Sequence, residues 1–238
     1  MLKNLLEGVS SLVFPAVCET CHTVLSPFSA LGVCVKCESE IKWLAPPFCV
    51  SCGRTLKNEV PRCGQCTKGS FHFDRAFACA LYEGKMKELI HHYKFGRRKC
   101  LKEFFVKAMT NFIGRHLKND LFDLILAVPI DNEKKAERGF NQSELISNRL
   151  ACVLKIPDAS EEIDRIKSAS PQSLLAKMDR KLNVQGRFSS RNKNFFDHKD
   201  ALLIDDILTT GETASECAKT LKEAGASSVT VLACARGI

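Results

Sequence analysis

The sequence predicts an α/β protein in which a parallel sheet with flanking helices occupies residues 71–238, behind a small metal-held segment at residues 1–70. Three observations carry this. From residue 73 onward, apolar strand-like runs alternate with helix-patterned segments. Eight of the 13 cysteines form four Cys-x-x-Cys pairs near the N-terminus. Finally, Leu202-Leu203-Ile204-Asp205-Asp206-Ile207-Leu208-Thr209-Thr210-Gly211-Glu212-Thr213 passes from an apolar run through two adjacent carboxylates and a Thr/Gly turn into a helix-forming segment.

With 238 residues, the chain can hold one ordinary domain and a small appendage. No apolar run approaches the ~20 residues that span a bilayer, so membrane insertion is not expected. Residues 1–14 lack a basic start followed by a long apolar core. Leu2, Leu5, Leu6, Val9 and Leu12 fit a short amphipathic helix, and a cytoplasmic location is expected.

The cysteine pairs are Cys18/Cys21, Cys34/Cys37, Cys49/Cys52 and Cys63/Cys66, separated by twelve, eleven and ten residues. Two Cys-x-x-Cys turns complete the tetrahedral sulfur site that zinc prefers, so four pairs imply two zinc ions. Neighbouring pairs give one site each, while spacing alone leaves crossed pairing open. With all eight thiolates committed, no position remains for water, and the sites are expected to be structural. His22 is an alternative ligand. A thiol oxidoreductase would need one such motif in a thioredoxin-like setting, not four in series. Pro46-Pro47 marks the junction between knuckles and residues 67–72 the linker. Cys79, Cys100, Cys152, Cys217 and Cys234 lie outside the pairs and read as small buried apolar residues.

Along the second part, a strand buried on both faces is expected at 73–82, with helices at 84–96 and 101–117. A central strand follows at 122–130, stopped by Pro129, and a loop at 131–138. Next come a helix from Gln142 to Leu154, an edge strand at 161–168 and a polar loop at 170–184 that could cover a site. After the signature strand, a helix is expected at 214–224 and a last strand at 228–235.

Of the net charge of +8, a local excess of 6 falls in residues 85–107, where eight Lys or Arg face two Glu. Tyr93 and Phe95 are interleaved there. Such a stretch suits either a pyrophosphate or single-stranded nucleic acid, the plainer alternative being a solvated helix face over two core aromatics.

The Thr/Gly turn leaves backbone N–H groups of Thr210, Gly211, Glu212 and Thr213 at a helix start, where the macrodipole favours an anion. Asp205 and Asp206 are acceptors suited to hydroxyls or a metal ion. Together they describe a ribose 5-phosphate. If the strands are parallel, Arg138 lies at the same sheet edge and reaches the anionic end of that ligand.

This signature resembles that of the type I phosphoribosyltransferases. The resemblance assigns the ribose hydroxyls of phosphoribosyl pyrophosphate to Asp205 and Asp206, and its 5-phosphate to Thr209, Thr210, Gly211, Glu212 and Thr213. The wider pattern resembles the ComF family, in which a cysteine-rich zinc region precedes a phosphoribosyltransferase domain. It rests on Val128-Pro129-Ile130 with Glu137-Arg138-Gly139-Phe140-Asn141-Gln142, on Pro171-Gln172 with Arg180 and Asn183-Val184-Gln185-Gly186, and on the signature itself. One departure is Asp131-Asn132-Glu133 before Lys134-Lys135, where the family usually carries several arginines.

The resemblance implies phosphoribosyl pyrophosphate bound with Mg2+, its pyrophosphate met by Arg138, Lys94 and Arg180. It further implies a role in natural DNA uptake, with single-stranded DNA contacted by the zinc knuckles and by Lys94, Arg97, Arg98 and Lys99, alongside a helicase-like partner. The alternative is an active transferase delivering 5-phosphoribosyl to an unidentified acceptor.

Overall fold

The computed structural model describes residues 16–26, 31–57, 60–69, 71–96, 98–166, 188–192 and 194–237. The expected N-terminal helix, the 170–184 loop, Arg97 and Arg180 lie outside the described residues. In chain order the elements are α1 (Val35–Ser39), β1 (Arg75–Leu81), α2 (Gly84–Phe95), α3 (Lys102–His116), β2 (Leu124–Ala127), α4 (Asn132–Arg138), α5 (Gln142–Leu154), β3 (Ile163–Arg165), β4 (Phe188–Ser190), β5 (Asp200–Leu208), α6 (Glu212–Glu223) and β6 (Ser228–Arg236).

Four strands pair in parallel in the order β1-β6-β5-β2. The strands carry long buried runs, as a parallel sheet covered on both faces requires. Val229 through Arg236 are all buried, as are Ala201 through Ile204. Leu202 and Ile204 join a core with Leu89, Phe105 and Ile146 of the helices α2, α3 and α5. Ala201 and Leu203 join another with Ala214, Cys217 and Leu221 of α6. No described helix is long and apolar enough to cross a membrane.

Several expectations need correction. The apolar run at 122–130 yields β2 at an edge of the sheet among the described strands, not at its centre. Its outer side is covered by irregular chain, with Ile125 N–H donating to Pro157 O at 3.0 Å and Ala159 N–H to Ile125 O at 2.8 Å. Burial made this run apolar, and burial does not require a second strand. Residues 132–138, expected as loop, form α4, a helix with no buried residue that Gly139 ends at φ +78°. Among the described residues 161–166 of the run expected as an edge strand, only β3 is strand, and it pairs antiparallel with β4 in a separate two-stranded sheet. Among the unpaired cysteines, Cys79, Cys217 and Cys234 are buried, but Cys100 and Cys152 are exposed.

The cysteine-rich region packs on the sheet. Its Lys42–Leu44 segment runs against the free edge of β1, where Trp43 bridges Ala80 in antiparallel sense. Leu44 N–H donates to Cys79 O and Leu81 N–H to Lys42 O, both at 2.9 Å. Val33, Cys37 and Ile41 share one core with Leu101 and Phe104.

The second knuckle approaches still closer. Ala76 N–H donates to Ser51 O at 2.8 Å, and Gly53, at φ +67°, leaves only 2.0 Å between a would-be Cβ and Ala76 O. Only glycine satisfies both the left-handed backbone and that contact. Gly53→Ala is therefore expected to cost about 3 kcal/mol or more in a urea unfolding measurement. Gly64→Ala, where a Cβ would meet nothing within 4 Å, is expected to be near neutral.

Candidate functional site

Because all four strands are parallel, their C-terminal ends share one edge, and the cleft opens there. It has a volume of about 330 Å³ and is lined by Asp205, Asp206, Thr209, Gly211, Thr213 and the cations Lys94, Lys134, Arg138 and Arg165. Thr210 and Glu212 stand outside this lining. Arg165 was not singled out from the sequence, and Lys134 was noted only in the departure from the family pattern. Arg165 ends the short β3, where its only signal was a basic residue closing an alternating run.

Strand β5 continues through both carboxylates to Leu208. Asp206, 9% exposed, accepts from Lys94 Nζ at 2.8 Å, and both side chains are largely withdrawn from water. Each charge thus depends on the other, since removing either partner would leave a buried ion without compensation. Asp205 accepts the N–H of Asp206 at 2.8 Å. Burial, followed by the neighbouring Asp206 charge, pushes the Asp205 carboxyl up to about 7 against the opposing pull of Asp206 N–H, Lys94 and Ser143.

Gly211 takes φ +85° as the N-cap of α6. Its would-be Cβ lies 3.2 Å from the Phe71 ring, which stacks on Phe73 at 4.6 Å between centroids. Glu212 N–H reaches Thr210 Oγ1 at 3.4 Å, and the first intrahelical bond runs from Ser215 N–H to Gly211 O. The N–H groups of Thr213 and Ala214 precede that bond, at the positive end of a 12-residue helix.

Arg138 donates to Gln142 Oε1 at 3.0 Å and lies 5.1 Å over the Phe95 ring. The basic stretch is less available than its composition suggested. Tyr93 is fully buried and donates to Gln142 O at 3.0 Å, so it cannot stack on a base. Lys94 is spent on Asp206, and Arg98 pairs with Glu19 at 3.2 Å. Lys99 lies 4.9 Å over the Phe140 ring.

The eight paired cysteines gather as Cys18/Cys21/Cys34/Cys37 and Cys49/Cys52/Cys63/Cys66, the sulfurs of each group all within 4.8 Å of one another. Neighbours in sequence therefore share a site, and His22 belongs to neither. Sulfur pairs at 3.6 Å (Cys21–Cys34) and 3.7 Å (Cys52–Cys63) fit the edges of a tetrahedron with metal–sulfur bonds of about 2.3 Å. Within the first group, burial opposes ionisation of Cys18, but the Cys21 N–H, the Thr20 side chain and further N–H groups outweigh it and lower the thiol to about 5. Burial pushes Cys37 up to about 12. Four thiolates cannot coexist there without a cation, and zinc fits the donor set.

Two outcomes are expected. The folded protein retains a proton at Asp205 that the unfolded chain releases above about pH 4. The contribution of this group to stability is complete below that value and is lost as pH rises through about 7. Urea midpoints of zinc-loaded protein should therefore show Asp205→Asn gaining on the parent as pH rises from 5.5 to about 7 and levelling off by pH 8. For the metal, Cys34→Ser and Cys63→Ser should each lower zinc content from two ions per chain to one, measured by elemental analysis.

A family model described as a double zinc ribbon domain matches residues 9–67. Competence protein F of Haemophilus influenzae is 30% identical over 210 residues, covering 86% of this chain and 90% of that protein. The DNA utilization protein YhgH of Escherichia coli K12 is 28% identical over 223 residues, covering 92% and 96%. Competence protein ComFC of Bacillus subtilis is 26% identical over 200 residues, covering 81% and 79%. Among solved structures, adenine phosphoribosyltransferase of Leishmania tarentolae aligns at 14% identity with a TM-score of 0.38, covering 61% of this chain and 74% of that one. Similarity that runs through nearly the whole of both chains, with paired-cysteine clusters in front of a parallel sheet, makes this protein a member of the competence protein F (ComF) family.

Proposed function

We propose that the protein binds phosphoribosyl pyrophosphate in the Asp205/Asp206 cleft and acts in DNA uptake by handling single-stranded DNA. The observation that carries the ligand is the meeting of two carboxylates with the Gly211-capped start of α6 in one cleft. The carboxylates suit the 2- and 3-hydroxyls of a ribose, and the helix start suits its 5-phosphate. Arg138 and Lys94 face the pyrophosphate, with Arg165 and Lys134 beside them and Arg180 completing the set. Mg2+ enters with the pyrophosphate, because it keeps several waters and takes one or two carboxylates plus substrate phosphates.

The DNA role is supported by the names of relatives, which speak of competence and of DNA utilization, and by the net charge of +8. A helicase-like protein is the partner such a role calls for. A second reading, an active phosphoribosyltransferase, is favoured by one observation. The cleft shares Pro129, Ile130 and Arg165 with an adjoining cleft of about 490 Å³. An acceptor could lie there beside the sugar.

Titration calorimetry with and without Mg2+ tests the ligand. Metal-dependent binding of phosphoribosyl pyrophosphate, lost in the Asp205→Asn/Asp206→Asn double variant, is the expected result. No heat of binding in folded, zinc-loaded protein would overturn it.

A further inference from the structure

On α3, Lys107, Asn111 and Arg115 are exposed and spaced four residues apart. Successive positions are about 6 Å apart along the axis, close to one nucleotide of an extended single strand. Together with Trp43, the only tryptophan in the chain, they line a cleft of about 150 Å³ between the cysteine-rich region and the sheet domain. Phe104 and Phe112 supply its apolar part.

Trp43 is 41% exposed, yet its backbone is fixed by the bridge to Ala80 and by the bonds of Leu44 and Lys42 to β1. Its ring rests 6.3 Å from that of Phe104. A large aromatic surface that is both open and already ordered loses little entropy when a flat partner stacks on it. Among the cations, Lys107 pairs with Glu38 at 3.0 Å. Arg115 has no ion-pair partner among the described residues, and it lies two helical turns from Lys107.

We propose that this cleft takes single-stranded DNA, one base stacking on Trp43 while neighbouring phosphates meet Arg115 and Lys107. The inference rests on the DNA-handling reading above and gives it a location other than the Lys94–Lys99 stretch, where Lys94 and Arg98 are already paired with acidic residues. An aromatic platform beside a row of cations is the chemistry of sequence-tolerant single-strand binding. Duplex DNA fits poorly, since its bases are already stacked on one another. Among the described residues the cleft shares none with the Asp205/Asp206 site, so the two ligands are expected to bind together without competing. Glu38 opposes the DNA by holding Lys107.

The test uses full-length, zinc-loaded protein and a fluorescein-labelled 15-mer of deoxythymidine, read by anisotropy and by quenching of the single tryptophan. Trp43→Ala should weaken binding about tenfold or more, and Trp43→Phe should restore most of it. Arg115→Ala should weaken it severalfold and reduce the slope of log K against log salt by about 1. Glu38→Gln should tighten binding about twofold by releasing Lys107, Lys219→Ala on α6 should change nothing, and saturating phosphoribosyl pyrophosphate should leave the affinity unaltered.

Parent-like affinity in both Trp43→Ala and Arg115→Ala, with no quenching, would overturn the location while leaving the DNA role intact. Loss in Trp43→Ala alone, with Arg115→Ala and Glu38→Gln unmoved, also overturns it, because lost packing on Phe104 would do the same. No binding by the parent even at low salt removes both the location and the DNA role.

Discussion

A carboxylate at the end of a strand buried on both faces stays ionised only if a cation is brought to it. Lys94 brings one from the last turn of α2, 2.8 Å from Asp206. That requirement fixes much else. Lys94 can hold its place because α2 is anchored by Met86, Leu89, Ile90 and Tyr93, all buried. The Tyr93 hydroxyl donates to Gln142 O, and the Gln142 side chain accepts from Arg138. One packing unit therefore positions the cation that balances Asp206 and the cation that lines the cleft beside it. Asp205 is treated differently by the same neighbourhood. Burial first, and then the neighbouring Asp206 charge, push its carboxyl up to about 7, and among the described residues it has no salt bridge to offset them. Two adjacent acids are thereby made unequal.

How much of this was legible in the sequence depended on whether a local pattern or a tertiary contact decided the outcome. The helices α2, α3 and α5 and the strands β1, β5 and β6 were legible because periodicity and end signals agree with burial in each. The Asp205–Thr213 segment was legible for a related reason, since its strand, turn and helix are consecutive. β2 was misplaced because a covered edge strand and a central one leave the same apolar run. α4 was missed because it buries nothing and so carries no stripe of apolar residues to betray it.

The basic stretch illustrates the opposite limit. Its composition gave the correct count of charges and the wrong count of available ones. Lys94 and Arg98 find acidic partners 112 and 79 positions away in the chain (206 − 94 and 98 − 19), and no local pattern announces such contacts. Trp43 was overlooked for the converse reason. A lone aromatic near a Pro-Pro pair carries no motif, and only folding places it opposite Lys107 and Arg115.

The cysteine-rich region has too little apolar surface to fold unaided, and the parallel sheet has a free edge at β1 that invites pairing with other chains. Each supplies what the other lacks. The Lys42–Leu44 segment covers the β1 edge with backbone hydrogen bonds, and the sheet domain lends its core to Val33, Cys37 and Ile41. Metal held by the two cysteine groups would fix the loops flanking that segment, since Cys37 and Cys49 stand on either side of it. The consequence reaches beyond stability. With Cys37 and Cys49 each six positions from Trp43 (43 − 37 and 49 − 43), zinc held by the two groups would tether both ends of the segment that bonds to β1 and so help present the indole to α3. Structural metal and the proposed DNA-stacking platform would in this way be one arrangement, because ordering the edge of the sheet and ordering the aromatic are the same act of folding.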